Sequence, residues 1–237
     1  ENSYHKNILK VFGILLAAGL SERFESDKLF ALYKDKELIR YPIETFLNCD
    51  DIDSIVIVCN ETNIEKTKEI LNSYAIDKKF EFILGGKTRQ ESEIFALNTL
   101  KFMDVDNNDL VAIHDCARSF LPEDLLKELI TEAKTHGSCS PYIETSLYSK
   151  TSQKLLKDNL VEIQTPQIFE YEILEKAYLI NVEEEMISHD TTQQVSKNLN
   201  IESKVILGSD LNLKITYKED LETIKLKLEE YGNKWVY

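Results

Sequence analysis

The segment Val11-Phe-Gly-Ile-Leu-Leu16, which runs directly into Ala17-Ala-Gly19, decides the fold of this 237-residue chain. Six consecutive residues without a polar side chain are typical of a strand that is buried on both faces, as the strands of parallel sheets are. Similar short apolar runs recur along the chain and alternate with segments of helical periodicity. This alternation predicts the α/β class, with a mostly parallel twisted sheet and helices on both of its faces.

The expected elements follow from these apolar runs and from the helical spacing between them. Strands are predicted at 11–16, 55–59, 80–84, 110–114, 138–142, 204–207 and 213–216. Helices are predicted at 42–48, 63–74, 89–100, 123–136, 170–179, 190–199 and 219–230. Right-handed crossovers between parallel strands then fix most of the topology.

The alternation breaks between residues 144 and 165. Two strands are predicted there, at 145–151 and 160–163, and the polar turn between them lies near 157–159. Two short strands around a polar turn are typical of an antiparallel hairpin. We therefore expect one domain over residues 1–237, with an inserted β-arm at about 144–165.

Composition narrows the classes of function. The chain has 28 basic and 42 acidic residues, a net charge of −14, which argues against general binding to nucleic acid or to an anionic membrane. No apolar run approaches the ~20 residues that span a bilayer. The four cysteines fit no metal-binding or redox spacing, and we expect them to be reduced and mostly buried. This indicates a reducing compartment, most simply the cytoplasm, with a plastid-type organelle as the alternative.

The loop after the first strand has the residue types of an anion site. Ala17, Ala18 and Gly19 are small enough for a ligand to approach the backbone, and their amides are candidates for an anion-binding nest. Arg23 and Lys28 follow in the same loop and carry the positive charge. The loop lacks the glycines and the Lys-Ser/Thr pair of the common nucleotide fingerprints. The alternative is a tight polar turn with solvated basic side chains.

Two further loops are expected at the same edge of the sheet, where ligands of open α/β sheets bind. Gly85-Gly86 follows a strand and precedes Arg89 and Ser92, so backbone, guanidinium and hydroxyl groups meet there. Asp115 follows another strand, where a carboxylate suits Mg²⁺ or a ribose hydroxyl, and Arg118 comes next. We expect His114 to be a packed strand residue rather than a base.

The scarce arginines and glycines of the chain thus concentrate in these loops. Lys214, which comes after the predicted strand at 204–207, adds one more positive charge. A cationic pocket on an acidic protein suits a polyanionic small molecule together with Mg²⁺. The chemistry that such a pocket favours is phosphoryl or nucleotidyl transfer, in which catalysis is mainly positioning and charge neutralisation.

The ordered motifs LLAAGLSERFESDK, GGKTRQES, HDCARSFL, ETS, QTPQIF and NLKIT resemble the 2-C-methyl-D-erythritol 4-phosphate cytidylyltransferase family. The resemblance covers roughly residues 10 to 230. It implies a Rossmann-like nucleotidyltransferase domain whose β-arm interlocks two subunits into a homodimer. It also implies that CTP and a methylerythritol phosphate give the CDP-alcohol and pyrophosphate, with Mg²⁺ required, in non-mevalonate isoprenoid biosynthesis.

The resemblance also implies roles for residues. Arg23, Lys28 and Lys214 would grip the triphosphate and stabilise the reacting phosphorus. The residues implied in CTP binding are Ala17, Ala18, Gly19, Gly85, Arg89, Ser92 and Asp115, and Asp115 is also the candidate metal ligand beside the triphosphate. The residues implied in acceptor binding are Arg118, Thr145, Lys157 and Thr165.

The acceptor side departs from the family pattern. Lys157 stands where the family usually has arginine, and Leu147 stands where it has a basic residue. Ribitol 5-phosphate, used by a related family, therefore stays open as the acceptor. A non-catalytic nucleotide-binding protein is the alternative of another class, although Arg23, Lys28 and Lys214 are all present. A Rossmann oxidoreductase would need a glycine fingerprint that the sequence lacks.

Overall fold

The computed structural model describes residues 8–19, 27–147, 150–152, 155, 159–179 and 190–231. The strands are β1 (Val11–Leu16), β2 (Leu32–Tyr33), β3 (Lys36–Glu37), β4 (Ser54–Cys59), β5 (Lys79–Leu84), β6 (Leu110–Asp115), β7 (Ser138–Thr145), β8 (Leu160–Ile163), β9 (Gln167–Glu170) and β10 (Val205–Leu207). The helices are α1 (Arg40–Asn48), α2 (Ile64–Leu71), α3 (Arg89–Leu100), α4 (Glu123–His136), α5 (Tyr171–Leu179), α6 (Thr191–Leu199) and α7 (Lys218–Glu230).

One large sheet has the strand order β10-β7-β9-β6-β1-β4-β5, with β8 paired to β7. The central strands β6, β1, β4 and β5 are parallel, as predicted. Strand β9 is antiparallel to both of its neighbours, β6 and β7, so the sheet is mixed but mostly parallel. The α/β fold class is therefore confirmed.

The two faces of β1 show why the sheet is covered on both sides. Leu15 packs with α1, α2 and α4 on one face, and Ile14 packs with α3, α5 and α6 on the other. Gly13 has no side chain because the Phe46 ring of α1 occupies that space: a Cβ there would lie 2.6 Å from the ring. Helix α7 closes a third cluster through Leu221 and Ile224.

One predicted strand is wrong: residues 213–216 form no strand, although the apolar spacing favoured one, and the Ile215 amide donates to the Ala117 carbonyl at 2.8 Å, in the loop after β6. Of the strand expected at 145–151, Thr145 is the last residue of β7, 146–147 and 150–151 are not in a strand, and 148–149 lie outside the described residues. The hairpin itself is present, since β7 pairs antiparallel with β8 and Tyr142 lies opposite Ile163.

All four cysteines are free and buried, as expected. Among the described residues, no helix combines the length and the apolar character that crossing a bilayer requires.

Candidate active site

The carboxyl ends of the central strands meet at one edge of the sheet. In the ladder Leu16 lies opposite Asp115 of β6, and Cys59 of β4 lies opposite Leu84 of β5. The loops that begin after these residues are therefore neighbours, as the sequence predicted.

Asp115 is the centre of the cluster at this edge. Its Oδ1 accepts a hydrogen bond from Arg89 Nε at 3.2 Å, and its Oδ2 accepts one from Lys214 Nζ at 2.8 Å. These contacts bring together three residues that are far apart in the sequence. Asp115, the last residue of β6, thus joins Arg89, which follows the glycine loop Gly85-Gly86, to the segment after β10.

The charge of Asp115 is fixed by these partners. Burial alone would raise the pKa of its carboxyl, but Arg89 and then Lys214 outweigh burial and hold this pKa well below the ordinary value. The carboxylate is therefore ionised at neutral pH. Because the Lys214 side chain is 44 % exposed, its ammonium is the part of the cluster that faces solvent.

Arg89 opens helix α3, whose N-terminus is capped by the Thr88 hydroxyl. Its Nη1 donates to Glu93 Oε1 at 2.5 Å and to Thr191 Oγ1 at 3.3 Å. Its Nη2 is buried and has no hydrogen-bond partner among the described residues. A buried guanidinium donor is costly to leave unpaired, so Nη2 is the donor that a ligand would satisfy.

The glycine loop is packed against the first loop. A Cβ on Gly85 would lie 2.6 Å from the Ala18 Cβ and 2.7 Å from Ser92 Oγ. Ser92 accepts a hydrogen bond from the Gly86 amide and donates one to the Thr88 carbonyl, both at 3.0 Å. Ser92 is thus placed at the site, but its hydroxyl shapes the loop.

The first loop corrects one expectation. The Ala17 amide donates to the Val58 carbonyl at 2.7 Å, so it continues the sheet and does not belong to an anion nest. The amides of Ala18 and Gly19 have no backbone acceptor within the described residues. Buried Asn63 holds the Ala17 carbonyl at 2.8 Å, which fixes the start of the loop.

Of the two basic residues of the first loop, the structure describes only Lys28. Arg23 lies outside the described residues. Lys28 begins a 3-10 helix, Lys28–Phe30, that Asp27 caps through a 3.2 Å hydrogen bond to Leu29 N. Leu29 is buried in the core, so it anchors this short helix beside the sheet edge.

Arg118 is 6 % exposed, and its amide donates to the Asp115 carbonyl at 2.9 Å. Its Nη1 donates to the Asn212 carbonyl at 2.9 Å, while its Nε is buried without a partner among the described residues. The exposed Glu162 carboxylate of β8 lies 3.8 Å from its Nη2. Asn212 in turn donates to the Thr165 carbonyl at 2.7 Å, so it joins Arg118 to the end of the arm.

Thr165 and His114 form a hydrogen-bond chain under the site. The Asp115 amide donates to Thr165 Oγ1 at 3.0 Å, and Thr165 Oγ1 lies 2.9 Å from His114 Nδ1. His114 Nε2 lies 3.0 Å from the Arg118 carbonyl, which can only accept. The proton of the neutral ring is therefore on Nε2, and Thr165 donates to Nδ1. Burial lowers the pKa of His114 to about 4, so it is a neutral packed residue, as expected.

Two residues predicted to bind the acceptor remain, Thr145 and Lys157. Thr145 ends β7 opposite Leu160, at the base of the arm. Lys157 lies outside the described residues. Among the residues that are described, no three His, Cys, Asp or Glu side chains group into a metal cage.

The sequence did not single out Glu93, Thr191 or Asn212. Glu93 had a detectable signal, because on α3 it shares a face with the buried Ala96 and Leu97, where a carboxylate is unexpected. Thr191 and Asn212 had none, since only the tertiary structure brings them to the site.

Comparisons with known proteins show which family this chain resembles. The model of the family described as IspD, 2-C-methyl-D-erythritol 4-phosphate cytidylyltransferase, matches residues 11–230. The enzyme of that name from Clostridium tetani is 33% identical over 93% of this chain and 91% of its own length. The one from Dictyoglomus thermophilum is 34% identical over 90% of this chain and 94% of its own.

A solved structure has the same fold. Francisella tularensis 2-C-methyl-D-erythritol 4-phosphate cytidylyltransferase superposes with a TM-score of 0.73, at 24% identity, over 92% of this chain and 100% of that one. The chain therefore belongs to the 2-C-methyl-D-erythritol 4-phosphate cytidylyltransferase family, and it is a nucleotidyltransferase of isoprenoid biosynthesis.

Proposed function

We propose that this chain transfers the cytidylyl group of CTP to 2-C-methyl-D-erythritol 4-phosphate and releases pyrophosphate. The observation that carries the proposal is the cluster of Arg89, Asp115 and Lys214 at the carboxyl edge of the sheet. The cluster places two cations, Arg89 and Lys214, at this edge of a chain of net charge −14, and their donors suit a triphosphate.

The substrate phosphate is already anionic at neutral pH, so the reaction needs no strong general base. The barrier is the approach of two anions, which fixed cations lower. In the proposed reaction Lys214 and Lys28 flank the α-phosphate of CTP, and Arg23 binds the triphosphate. Asp115 orients Arg89 and Lys214, because each of its two carboxylate oxygens accepts a hydrogen bond from one of them.

A divalent cation fits this arrangement only in part. Mg²⁺ in nucleotide sites commonly takes one or two carboxylates plus substrate phosphates, and Asp115 is the carboxylate placed to serve. When bound, Mg²⁺ would neutralise charge on the phosphates. We propose that the triphosphate supplies most of its ligands, because both Asp115 oxygens already accept hydrogen bonds from cations.

The proposed acceptor site lies between Arg118 and the arm. The unpartnered Nε of Arg118 is the donor expected for the acceptor phosphate, with Thr145 and Lys157 contributing from the arm. Thr165 acts indirectly, because its hydroxyl is committed to Asp115 and His114. Ribitol 5-phosphate remains the second candidate acceptor, since Lys157 cannot bind a phosphate with two parallel hydrogen bonds as arginine does.

Pyrophosphate release tests the proposal. CTP, ATP, GTP and UTP are each supplied with methylerythritol phosphate, and CTP is supplied with ribitol 5-phosphate. We expect turnover only with CTP and faster with methylerythritol phosphate. A strong preference for ribitol 5-phosphate would reject the proposed acceptor. Binding of CTP without turnover on either acceptor would favour the non-catalytic alternative.

Lys28→Ala separates catalysis from binding. Loss of a fixed cation at the reacting phosphate is expected to lower kcat by about 100-fold or more, with the fold unchanged. Lys68→Ala is the matched control, because Lys68 pairs with Glu65 on α2, away from the cluster. Equal turnover of the two variants would remove Lys28 from the proposed mechanism.

We further propose that the chain is a homodimer formed through the β7–β8 arm. Three apolar side chains on the described part of the arm are about half exposed, as an interface predicts: Leu147, Leu155 and Val161. Val161→Lys is expected to shift the sedimentation coefficient from dimer to monomer, whereas an unchanged coefficient would exclude the arm. The buried free cysteines support the cytoplasm as the proposed location.

A further inference from the structure

Helix α3 carries a second charged residue, Glu93, to which the reaction above assigns no part. Glu93 lies one helical turn after Arg89 and is 2 % exposed. A carboxylate at such a position is costly to keep unless it is paired and hydrogen-bonded. Its presence there therefore needs a compensating role.

Three donors surround the Glu93 carboxylate. Oε1 accepts from Arg89 Nη1 at 2.5 Å and from Thr191 Oγ1 at 2.6 Å. Oε2 accepts from the Tyr178 hydroxyl. Because Tyr178 belongs to α5 and Thr191 to α6, this carboxylate fastens both helices to the base of the glycine loop.

The same contacts hold Arg89 on two sides. Glu93 binds Nη1, and Asp115 binds Nε at 3.2 Å. Two carboxylates on different edges of a planar guanidinium fix both its plane and its rotation. The third nitrogen, Nη2, is then held in one direction, buried and without a partner among the described residues.

We propose that Glu93 is a positioning residue for cytidylyl transfer, which holds the Arg89 guanidinium so that Nη2 donates to the bound nucleotide. The inference rests on the proposed function, since it requires Arg89 to contact CTP. Glu93 itself touches neither substrate, and Thr191 and Tyr178 hold it in place.

Glu93→Gln tests the proposal, because it keeps the shape of the side chain and removes its charge. The KM for CTP is expected to rise about tenfold, within the range of one charge-assisted hydrogen bond. The KM for the acceptor and kcat are expected to stay within about twofold, since ground-state binding alone is weakened.

Glu175→Gln is the matched control. Glu175 pairs with Lys101 at 2.8 Å and accepts from the Tyr171 hydroxyl at 3.5 Å, so it also joins α5 to the end of α3. It has no contact with Arg89. If Glu175→Gln raises the KM for CTP as much as Glu93→Gln does, the effect is structural and the proposal is wrong.

A double-mutant cycle provides the second readout. Arg89→Lys keeps a positive charge but cannot be held on two sides. If Glu93 acts through Arg89, adding Glu93→Gln to Arg89→Lys should raise the KM for CTP by less than about twofold more. A further tenfold rise in that background would contradict the proposal.

A second variant covers the case in which Glu93→Gln does not fold. Thr191→Val then replaces it, because this change removes the hydroxyl between Glu93 and Arg89 and leaves neither charged group without its partner. An unchanged KM for CTP in that variant would overturn the inference. If the unmodified chain has no turnover, the proposed function fails, and calorimetric Kd values for CTP on the same variants then decide the role of Glu93.

Discussion

Lys214 donates a 2.8 Å hydrogen bond to the carboxylate of Asp115, although 99 residues separate them in the chain. The contact ties the segment after β10 to the end of β6. It gives Asp115 two tasks, since the same carboxylate also binds Arg89. Lys214 and Arg89 are thereby held near each other, and the carboxylate between them offsets their repulsion.

Asp115→Asn is expected to lower kcat/KM by about 100-fold, because two cations lose the charge that orients them. The change is measured as pyrophosphate release. Asp109→Asn is the control: Asp109 is also buried and lies just before the same strand, where it accepts from the Lys10 and Asp106 amides. It should lose stability but keep turnover. Comparable activity losses in both variants would mean that only the fold was damaged.

Gly85→Ala is expected to destabilise the chain by about 1–3 kcal/mol, because the added Cβ overlaps Ala18 and Ser92. The displaced loop should also weaken CTP binding. Gly19→Ala is the matched variant, since a Cβ there has no atom of the described residues within 4 Å. Urea unfolding measures both, and similar losses at the two positions would show that packing against Ala18 is not the reason for Gly85.

His114 predicts a dependence of stability on pH. Burial is the main reason that its pKa is about 4 in the folded chain, against an ordinary value of 6.5 for a solvated histidine. Between these values the unfolded chain binds a proton that the folded chain does not, so stability is full above pH 6.5 and falls as the pH drops toward 4. From pH 7 to pH 5 this loss is about 2 kcal/mol.

Urea unfolding of the unmodified chain and of His114→Gln at pH 7 and pH 5 measures that loss. The unmodified chain should lose about 2 kcal/mol more than the variant over this range. Identical pH dependence in the two proteins would show that His114 is not the group responsible.

Much of the fold could be predicted because buried parallel strands have a local signature. The run at β1 and its counterparts at β4 and β6 are mostly apolar, and their order along the chain determines which loops share an edge. Strand β9 was missed because Gln167–Glu170 is short and runs directly into α5. Its pairing depends on β6 and β7, not on its own residues.

The sequence predicted which charged residues form the site, but it predicted few of their contacts. Arg89, Asp115 and Lys214 do meet, because each follows a predicted apolar run. What sequence could not give is which hydroxyls and amides are already used. The Ala17 amide and the Thr165 hydroxyl both have internal partners that only the folded chain supplies.

The pairing of β7 with β8 has a consequence for how the chain tolerates insertions. Tyr142 lies opposite Ile163, and Thr165 follows two residues later with its hydroxyl under Asp115. Residues added between Thr145 and Leu160 leave that alignment intact, so the contact between Thr165 and Asp115 does not depend on the length of the outer arm. A single residue added between Ile163 and Thr165 removes the hydroxyl from Asp115. This contact thus tolerates insertions in the outer half of the arm but not in its last three residues.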